Sequence, residues 1–318
     1  MELLSPRQAA RALGVSESSL KRWCDRGLLT TTRTPGGHRK VSTAEVLRFV
    51  REHDHPLAVS SLLGVPGIGK RTEADLAQAR PRLAAALLTG DEALARQIVF
   101  DLYLAKHPLS VICDEVIAGA FREIGQRWAC NEADVYQERR GCEITLRIVH
   151  ELRLKQAVAD SAPLAIGATI TGDHYVLPTT MAEMVLGEVG FRASLLGEAI
   201  PLRSLARAVR ELKPRLFWLS LSHLDENLDF VAEFAAFSQA CTDERTALVV
   251  GGRAFSDELR HRVKYAAYCD TMQQLESFAR ALLPGLTRRK RSRPERSTKR
   301  GAAAKKRSAT TLSARGRR

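Results

Sequence analysis

The chain has 318 residues, which is enough for two or three domains of ordinary size. Its 49 lysines and arginines exceed its 36 aspartates and glutamates, giving a formal net charge of +13. Six cysteines are scattered without a C-x-x-C pair, which indicates neither a zinc site nor a disulfide framework and predicts a reducing compartment. No apolar run approaches the length of a membrane helix, and the first residues do not resemble a secretory signal. We therefore expect a protein of the cytoplasm, at the bacterial nucleoid.

Residues 1–53 carry the signals of two short helices joined by a tight turn. Ser5 and Gln8 fit a capping box at the start of a helix that ends at Gly14. Ser16 then caps a second helix. Two short helices joined through a glycine-containing turn are typical of the helix-turn-helix unit.

A predicted β-hairpin and a third helix complete this segment. Residues 32–41 place a Pro-Gly-Gly turn between two β-prone arms, and Ser42 with Glu45 fits a second capping box. The helix pair, the wing (TPGGHRKVS) and the third helix resemble the MerR-type winged helix-turn-helix. The resemblance implies that residues 1–53 bind DNA. A small helical domain for protein interaction is the alternative.

The basic charge of the first fifty residues lies mostly on the second helix and the wing. Residues 1–50 hold nine lysines and arginines against four acidic residues. By analogy with helix-turn-helix docking, Ser18, Ser19 and Lys21 face base edges in double-stranded DNA. Phosphate contacts are expected from Arg22, Arg33, His38, Arg39 and Lys40. Trp23 has apolar neighbours and is expected in the core.

Two segments carry few signals of regular structure. Residues 54–72 are rich in Gly, Pro and Ser, which predicts a flexible linker. Residues 285–318 hold fourteen lysines and arginines, one glutamate and almost no large apolar side chains, which predicts a disordered tail. Such a polycation would add salt-sensitive affinity for DNA, and a tail that serves only solubility is the alternative.

Residues 73–158 have the apolar spacing of four helices. Apolar residues recur at intervals of three and four between Leu76 and Leu88, Leu94 and Leu104, Val111 and Ile124, and Val135 and Leu152. Pro108 is placed to begin the third helix. Short connections between these helices predict a four-helix bundle.

Residues 160–284 alternate short apolar runs with helical stretches. The predicted strands are 164–170, 193–197, 215–222 and 247–252, and the predicted helices are 178–190, 202–212, 225–242, 254–264 and 272–283. This alternation predicts a doubly wound parallel sheet of the flavodoxin-like, cobalamin-binding type. The whole chain is therefore expected to be a multidomain α and α/β protein.

A bundle followed by such a sheet resembles the cobalamin-binding pair of methionine synthases. With residues 1–53, the MerR-type head, in front of this pair, the chain resembles the light-sensing CarH-like repressors. The resemblance extends over nearly all of residues 1–284. The resemblance implies adenosylcobalamin as a cofactor and a homodimer or larger homo-oligomer. In that family, the loop after the first strand carries Asp/Glu-x-His-x-x-Gly, whose histidine binds cobalt from below while the acidic residue orients it.

This chain departs from that loop pattern. Asp173 aligns with the acidic residue, but Tyr175 stands at the histidine position and Pro178 at the glycine position. A neutral tyrosine is a poor cobalt ligand, and proline fixes its backbone where a permissive residue is expected. We expect Pro178 at the first position of the next helix. His174 stands one residue early and is a metal ligand only if the loop slips.

Other positions match the family better. The resemblance implies that Trp128 and Glu138 lie over the upper face of the cofactor, with Arg139 where a histidine is expected. It also assigns to the cofactor site the residues Ser220, Ser222, Gly251 and Gly252. The alternatives are bundle packing for Trp128, a surface charge for Glu138 and a strand-to-helix turn for the glycine pair.

We therefore expect a non-enzymatic transcription regulator whose sensor does not need cobalamin or binds it weakly. An adenosylcobalamin-dependent, light-responsive repressor with altered axial ligation is one alternative. Two others belong to different classes of protein: a corrinoid carrier of the methyltransferase type, and an adaptor that docks a protein partner.

Overall fold

A computed structural model describes residues 2–66, 75–224 and 230–283 of the chain. The basic tail predicted at 285–318 lies outside these ranges. So do residues 67–72 of the predicted linker and the first five residues of the helix predicted at 225–242.

The N-terminal segment folds as a helix pair, a hairpin and a third helix. Its elements are β1 (Leu3–Leu4), α1 (Pro6–Leu13), α2 (Glu17–Asp25), β2 (Thr32–Arg33), β3 (Arg39–Ser42) and α3 (Thr43–His53). β2 pairs antiparallel with β3 across the Pro-Gly-Gly turn, where Gly37 N donates to Thr34 O at 2.8 Å. β1, which the sequence pattern does not predict, pairs with the other edge of β3.

The ends of α1 form as the sequence predicts. Ser5 Oγ accepts a hydrogen bond from Gln8 N at 3.2 Å, and Gln8 Oε1 accepts one from Ser5 N at 2.8 Å. Gly14 follows the helix with a φ of 67°, in the left-handed region that glycine adopts without a steric cost. Both signals act within four residues, so the local sequence is sufficient to predict them.

The second predicted capping box was half wrong. Ser42 Oγ accepts from Glu45 N at 3.1 Å, but the Glu45 carboxylate accepts from Thr30 N at 2.6 Å and binds Arg48. Burial raises the pKa of Glu45, and the hydrogen bonds from Arg48 and Thr30 outweigh burial, so that the pKa lies below its usual value. A partner fifteen positions away therefore replaces the local one, because the partly buried Thr30 N–H needs an acceptor.

The described part of the predicted linker is packed, contrary to the flexible joint expected from its composition. A 3₁₀ turn at Ser60–Leu63 follows two hydrogen bonds to α1, in which Ala58 N and Val59 N both donate to Ala12 O. Leu63 and Val65 are buried in the same core as α1 and the bundle. Burial of these apolar side chains stabilises the segment by more than the flexibility of the neighbouring Gly and Ser destabilises it.

The predicted four-helix bundle is confirmed. It comprises α4 (Leu76–Thr89), α5 (Glu92–Leu104), a composite third helix and α8 (Val135–Leu154). The third helix follows Pro108 and consists of α6 (Leu109–Val111), a π-helical segment (Ile112–Ile117) and α7 (Ala118–Ala129). The sequence does not predict the π segment, whose Ile112, Cys113, Val116 and Ile117 are all fully buried.

The doubly wound parallel sheet is also confirmed. Its elements are β4 (Leu164–Ile170), α9 (Val176–Val189), β5 (Arg192–Ile200), α10 (Leu202–Leu212), β6 (Leu216–Ser220), α11 (Phe230–Asp243), β7 (Ala247–Gly251), α12 (Asp257–Arg262), β8 (Ala267–Tyr268) and α13 (Met272–Leu282). The spatial order is β5-β4-β6-β7-β8, and every pair is parallel. In this flavodoxin-like order, the strand order reverses between β4 and β6, which places the switch point at the carboxyl ends of these two strands.

The sequence analysis expects Pro178 at the first position of a helix, and this expectation is wrong. α9 begins at Val176, so Pro178 is its third residue. Proline fits there because the first four N–H groups of a helix have no acceptor within the helix. Tyr175 is the residue that precedes the helix.

A single carboxylate joins the three parts of the described chain. Glu188 of α9 accepts from Arg51 Nη1 of α3 at 2.8 Å and from Leu109 N of the bundle at 2.7 Å. Arg51 also donates to His107 O at 3.2 Å and lies 4.0 Å from the centroid of the Tyr103 ring. Within the described residues, no helix has the length and hydropathy needed to cross a bilayer.

Candidate DNA interface and ligand site

The first half of α2 presents polar side chains to solvent. Ser18 Oγ and Ser19 Oγ lie 3.0 Å and 2.9 Å from the hydroxyl that caps the helix. Lys21 Nζ lies 2.9 Å from Glu17 Oε1, and Arg22 Nη2 donates to Ser19 Oγ at 3.2 Å. These four predicted DNA-contacting residues therefore share one polar stretch of the helix, and Lys21 and Arg22 are exposed.

The wing is attached to the end of α2 by an ion pair. Arg39 Nη1 donates to Asp25 Oδ1 at 2.8 Å, and this hydrogen bond raises the pKa of Arg39. Arg33 and His38 are exposed on the hairpin, and Lys40 is half-buried. The ion pair holds the wing beside the second helix, which brings the predicted phosphate contacts close to the predicted base contacts.

Trp23 packs inside the head, as the sequence analysis expects. Its ring centroid lies 4.9 Å from that of Phe49 and 5.4 Å from that of His55. The indole is partly buried against the head's core. It therefore stabilises α2 against α3.

Asp173, in the loop after β4, is fully buried and uses both carboxylate oxygens on backbone donors. Oδ1 accepts from Tyr175 N at 3.0 Å, and Oδ2 accepts from Ser222 N at 2.6 Å. The backbone O of Asp173 accepts from Thr169 Oγ1 at 2.6 Å. Asp173 thus joins the loop after β4 to the loop after β6. In the family pattern, the acidic residue at this position orients the cobalt-binding histidine.

Tyr175 lies between two arginines from different parts of the fold. Arg139 Cζ of α8 lies 5.5 Å from the centroid of the Tyr175 ring, and Arg253 Cζ, after β7, lies 5.6 Å from it. Both distances fall within the range of cation–π contacts. This Arg139–Tyr175–Arg253 cluster joins the bundle to the carboxyl end of the sheet, at the position where the family pattern has a cobalt-binding histidine.

The other bundle residues of the predicted site are open to solvent. Trp128, at the end of α7, is 51% exposed, and Glu138 is half-buried near the start of α8. Arg139 is exposed and reaches Tyr175. Of these three side chains, the described contacts bring only Arg139 to the loop after β4.

The glycine pair after β7 is required by this chain's own backbone. A Cβ at Gly251 would lie 2.5 Å from Cys269 O, and one at Gly252 would lie 2.3 Å from Leu221 O. Gly252 also has a φ of +104°, which disfavours a side chain. The tight strand-to-loop turn therefore accounts for both glycines.

A small cavity opens beneath these loops, between the sheet and α13. It has a volume of about 130 Å³ and is lined in part by Ser220, Gly251, Gly252 and Trp218. Small-molecule sites are usually about 300–1,000 Å³. The Trp218 indole is 2% exposed and donates from Nε1 to Thr179 Oγ1 at 3.0 Å, so it fills space between β6 and α9.

His174 points away from the cluster of Tyr175. Its side chain is 72% exposed, and Nδ1 lies 3.8 Å from Glu198 Oε2. Among the described residues, no group of three or more His, Cys, Asp and Glu is placed to hold a metal ion. The hydrogen bonds of Asp173 to Tyr175 N and Ser222 N oppose the one-residue slip that would turn His174 inward.

Family models match the head and the bundle. A model described as a helix-turn-helix domain matches residues 3–54, and one described as a B12 binding domain matches residues 79–153. These two matches show what residues 3–54 and 79–153 resemble.

Two repressors of Myxococcus xanthus resemble this chain along most of their length. The HTH-type transcriptional repressor CarH is 27% identical over 274 residues, which cover 79% of this chain and 89% of the relative. The HTH-type transcriptional repressor CarA is 24% identical over 279 residues, which cover 85% and 93%. The predicted resemblance to CarH-like regulators is confirmed.

A solved structure resembles the fold of this chain over about two thirds of its length. The monomethylamine corrinoid protein of Methanosarcina barkeri superposes with a TM-score of 0.53 at 16% identity, covering 66% of this chain and 100% of that one. Its likeness supports the bundle-plus-sheet fold alone.

The side chains at the predicted cobalt-ligand position include no histidine, and their spacing can be compared with what a corrin needs. A flat macrocycle needs about 3.5–4 Å on each face, or about 7–8 Å between the groups above and below it. Arg139 Cζ and the Tyr175 ring centroid are 5.5 Å apart, so the exposed Arg139 side chain would have to move for a corrin to lie between them. Tyr175 stands where the family pattern predicts the imidazole ligand, and the cavity beside Trp218 has a volume of only about 130 Å³.

Sequence reasoning missed two residues at this site, Arg253 and Trp218, and the contact of Arg51 with Glu188 away from it. Arg253 directly follows the glycine pair, but its contact with Tyr175 depends on how the loops after β4 and β7 meet. Trp218 lies in a continuous apolar strand, so its packing over the sheet is not visible as a pattern. Arg51 lies in α3, and nothing in the local sequence indicates that Glu188 is its partner.

Proposed function

We propose that this protein is a sequence-specific DNA-binding transcription regulator, of repressor type, whose sensor domain works without cobalamin. It acts on double-stranded DNA in the cytoplasm, at the nucleoid, as a homodimer or larger homo-oligomer. One short helix-turn-helix reads few bases, so two heads on a palindromic site are needed for specificity. The protein is a regulator and not an enzyme.

The DNA-binding part of the proposal is supported by the head. Lys21 and Arg22 are exposed on α2, and Arg33 and His38 are exposed on the wing, which Arg39 ties to α2. Cations arranged along a helix and an adjoining hairpin suit the phosphates that flank a major groove. The similar M. xanthus proteins are named as transcriptional repressors, which agrees with this role.

The Arg139–Tyr175–Arg253 cluster is the observation that carries the cobalamin-independent part. A tyrosine held by two guanidinium groups stands where the imidazole ligand is expected. Asp173, which would orient that imidazole, is occupied by the N–H groups of Tyr175 and Ser222. The loop is therefore stabilised in a form that has no cobalt ligand.

The direct test is to mix the purified protein with adenosylcobalamin in the dark and separate it from free cofactor by gel filtration. We expect no coeluting corrin absorbance. DNA affinity for an operator selected in vitro should be equal with and without cobalamin, in the dark and under green light. The Tyr175→His, Pro178→Gly double variant is the matched positive control.

The alternatives correspond to other outcomes of the same experiment. Coelution with a histidine-ligated spectrum, or release of DNA on illumination, would establish a light-responsive repressor with altered ligation. Tight corrinoid binding without DNA binding would favour a corrinoid carrier. A failure to select any DNA site would favour a protein-docking adaptor and would overturn the regulator.

A further inference from the structure

A second, larger cavity lies between the head and the sheet domain. Its volume is about 420 Å³, within the range of about 300–1,000 Å³ typical of small-molecule sites. Its walls come from the head, the end of α8, α9 and the start of β5. The polar and charged residues that line it include Glu2, Thr43, Arg153, Lys155, Glu183 and Arg192. It shares no lining residue with the Tyr175 cluster or with the small cavity beside Trp218.

Three cations line this junction cavity, and two of them have no carboxylate partner among the described residues. Arg192, at the start of β5, is exposed and forms no ion pair within the described ranges. Lys155 donates from Nζ to the backbone carbonyl of Leu63 at 2.7 Å, which leaves its charge without a carboxylate there. The three cations exceed the two lining carboxylates, Glu2 and Glu183, by one, which leaves positive charge available for an anion.

The third cation, Arg153, is only partly satisfied. Its Nη1 donates to Glu183 Oε1 at 3.0 Å, and Glu183 is almost fully buried. Its Nε is buried and has no hydrogen-bond partner in the parts of the chain that the structure describes. Burial raises the pKa of Glu183, and Arg153, the Leu195 N–H and His150 oppose that rise. A buried donor without an acceptor marks a place where a ligand oxygen would be favourable.

The lining also includes the polar Gln156 and several apolar side chains. The apolar ones include Leu154, Val158, Phe191 and Ala193. A site lined by both cations and apolar side chains suits an organic anion with a compact apolar body, rather than a free inorganic ion. The planar forks of Arg153 and Arg192 match the oxygens of a carboxylate or a phosphate ester.

The cavity is in direct contact with the DNA-binding head. Thr43 begins α3, is buried, and donates from its backbone N to Glu2 O at 3.1 Å, and both residues line the cavity. α9 contributes Glu183 to the cavity and, five residues later, Glu188 to the buried ion pair with Arg51 of the head. A ligand that draws Arg153 away from Glu183 therefore acts on the helix that holds the head.

We propose that the junction cavity binds a small organic anion, an apolar body bearing one carboxylate or phosphate group, through Arg153 and Arg192. Occupancy changes how the head is held against α9, so the anion takes the part of an effector. The binding site stands independently of the proposed function, whereas its effect on DNA affinity rests on that function.

Calorimetry on the full-length protein tests the site with four probes. Benzoate and phenyl phosphate carry both an anionic group and an apolar ring, inorganic phosphate carries the charge alone, and benzyl alcohol carries the ring alone. We expect saturable binding of benzoate or phenyl phosphate, at least tenfold tighter than either control compound. The better of the two anions identifies the headgroup.

Variants locate the binding. Arg192→Ala removes a charge that has no ion-pair partner within the described ranges, so the fold should be retained and affinity should fall by about tenfold or more. Arg153→Lys keeps a charge beside Glu183 but removes the fork, and it should also weaken binding. Arg210→Ala, an exposed arginine on α10, is the matched control and should bind as wild type does. Equal binding by wild type and both cavity variants would overturn the site, as would anions that bind no better than benzyl alcohol.

DNA affinity, measured with and without the bound anion, tests the coupling. We expect a change of at least fivefold in wild type and in Arg210→Ala, and none in Arg192→Ala. Saturable anion binding with unchanged DNA affinity would overturn the effector role and leave the site. A protein that binds the anion but no DNA at all would instead overturn the proposed function.

Discussion

The Trp218 indole lies where a side chain at position 167 would have to be. Gly167 of β4 is paired with Trp218 of β6, and a Cβ at Gly167 would lie 1.9 Å from Trp218 Cε2. The sheet therefore accepts only glycine beneath this tryptophan. The same indole fills space between β6 and α9 and lines the small cavity at the carboxyl ends of the strands.

Gly167→Ala should destabilise the protein by about 3 kcal/mol or more, because overpacking costs about 1–3 kcal/mol even where contacts are less severe. Gly125→Ala, on α7, has nothing within 4 Å of the new Cβ and should be neutral or stabilising. The measurement is the midpoint of urea unfolding. Trp218→Leu in the Gly167→Ala background should recover part of the loss. Equal midpoints for the two alanine variants would contradict the packing described above.

Glu188→Ala should cost about 3–5 kcal/mol, since it leaves the largely buried Arg51 guanidinium and Leu109 N without their acceptor. Glu92→Ala removes an ion pair with Arg147 whose two side chains are about half exposed, and it should cost about 1 kcal/mol or less. Urea unfolding of both variants gives the comparison. A Glu188→Ala midpoint no lower than that of Glu92→Ala would show that the three parts of the chain are held together elsewhere.

Lys21→Ala should relax base preference and lose about 1–3 kcal/mol on the preferred operator. Arg39→Ala should weaken binding to all sequences alike, because its expected contact is a phosphate. Loss of its exposed ion pair with Asp25 should change stability little. Gel-shift titrations on selected and scrambled duplexes measure both effects, with Arg210→Ala as the control. Unchanged affinity in both head variants would refute the predicted winged-helix interface.

Tyr175→His with Pro178→Gly should create measurable cobalamin affinity and a histidine-ligated visible spectrum. The new imidazole supplies the missing ligand, and the glycine frees the first turn of α9. Adding Arg139→His should strengthen binding, since it removes the guanidinium that lies 5.5 Å from the ring at position 175. Tyr136→His with Pro178→Gly, which places the histidine on the exposed face of α8, is the control and should remain colourless. Colour in the control equal to that in the double variant would mean that position 175 is not the ligand position.

Deletion of residues 285–318 should lower non-specific DNA affinity and flatten its salt dependence without changing the preferred operator. The segment carries fourteen lysines and arginines and one glutamate, and each phosphate contact contributes a slope of about −0.9 to log affinity against log salt concentration. Titrations at several salt concentrations, with the full-length chain as reference, provide the test. An identical slope would show that the tail does not touch DNA.

Local signals in the sequence predicted most of the regular structure. The Ser5–Gln8 capping box, the stop at Gly14 and the bounds of β4 and α10 follow from hydrogen bonds and apolar periodicity within a few residues. The alternation of apolar strands with helices was sufficient to predict the doubly wound sheet. The sequence also showed that Tyr175 and Pro178 differ from the family pattern, because that pattern has a histidine and a glycine at these two positions.

Long-range partners were decided by the tertiary structure. Glu45 binds Thr30 N instead of closing its capping box, and Arg51 meets Glu188 from 137 positions away. Two arginines contact the Tyr175 ring, and a cavity forms beside the head, only because the folded core brings distant loops together. The sequence by itself determined where most helices and strands lie and which residues bear charge, since those signals are local, but it did not predict β1, the π segment or the start of α9. Only the packed structure decided which charges meet, because burying a polar group requires a partner that the chain supplies after it has folded.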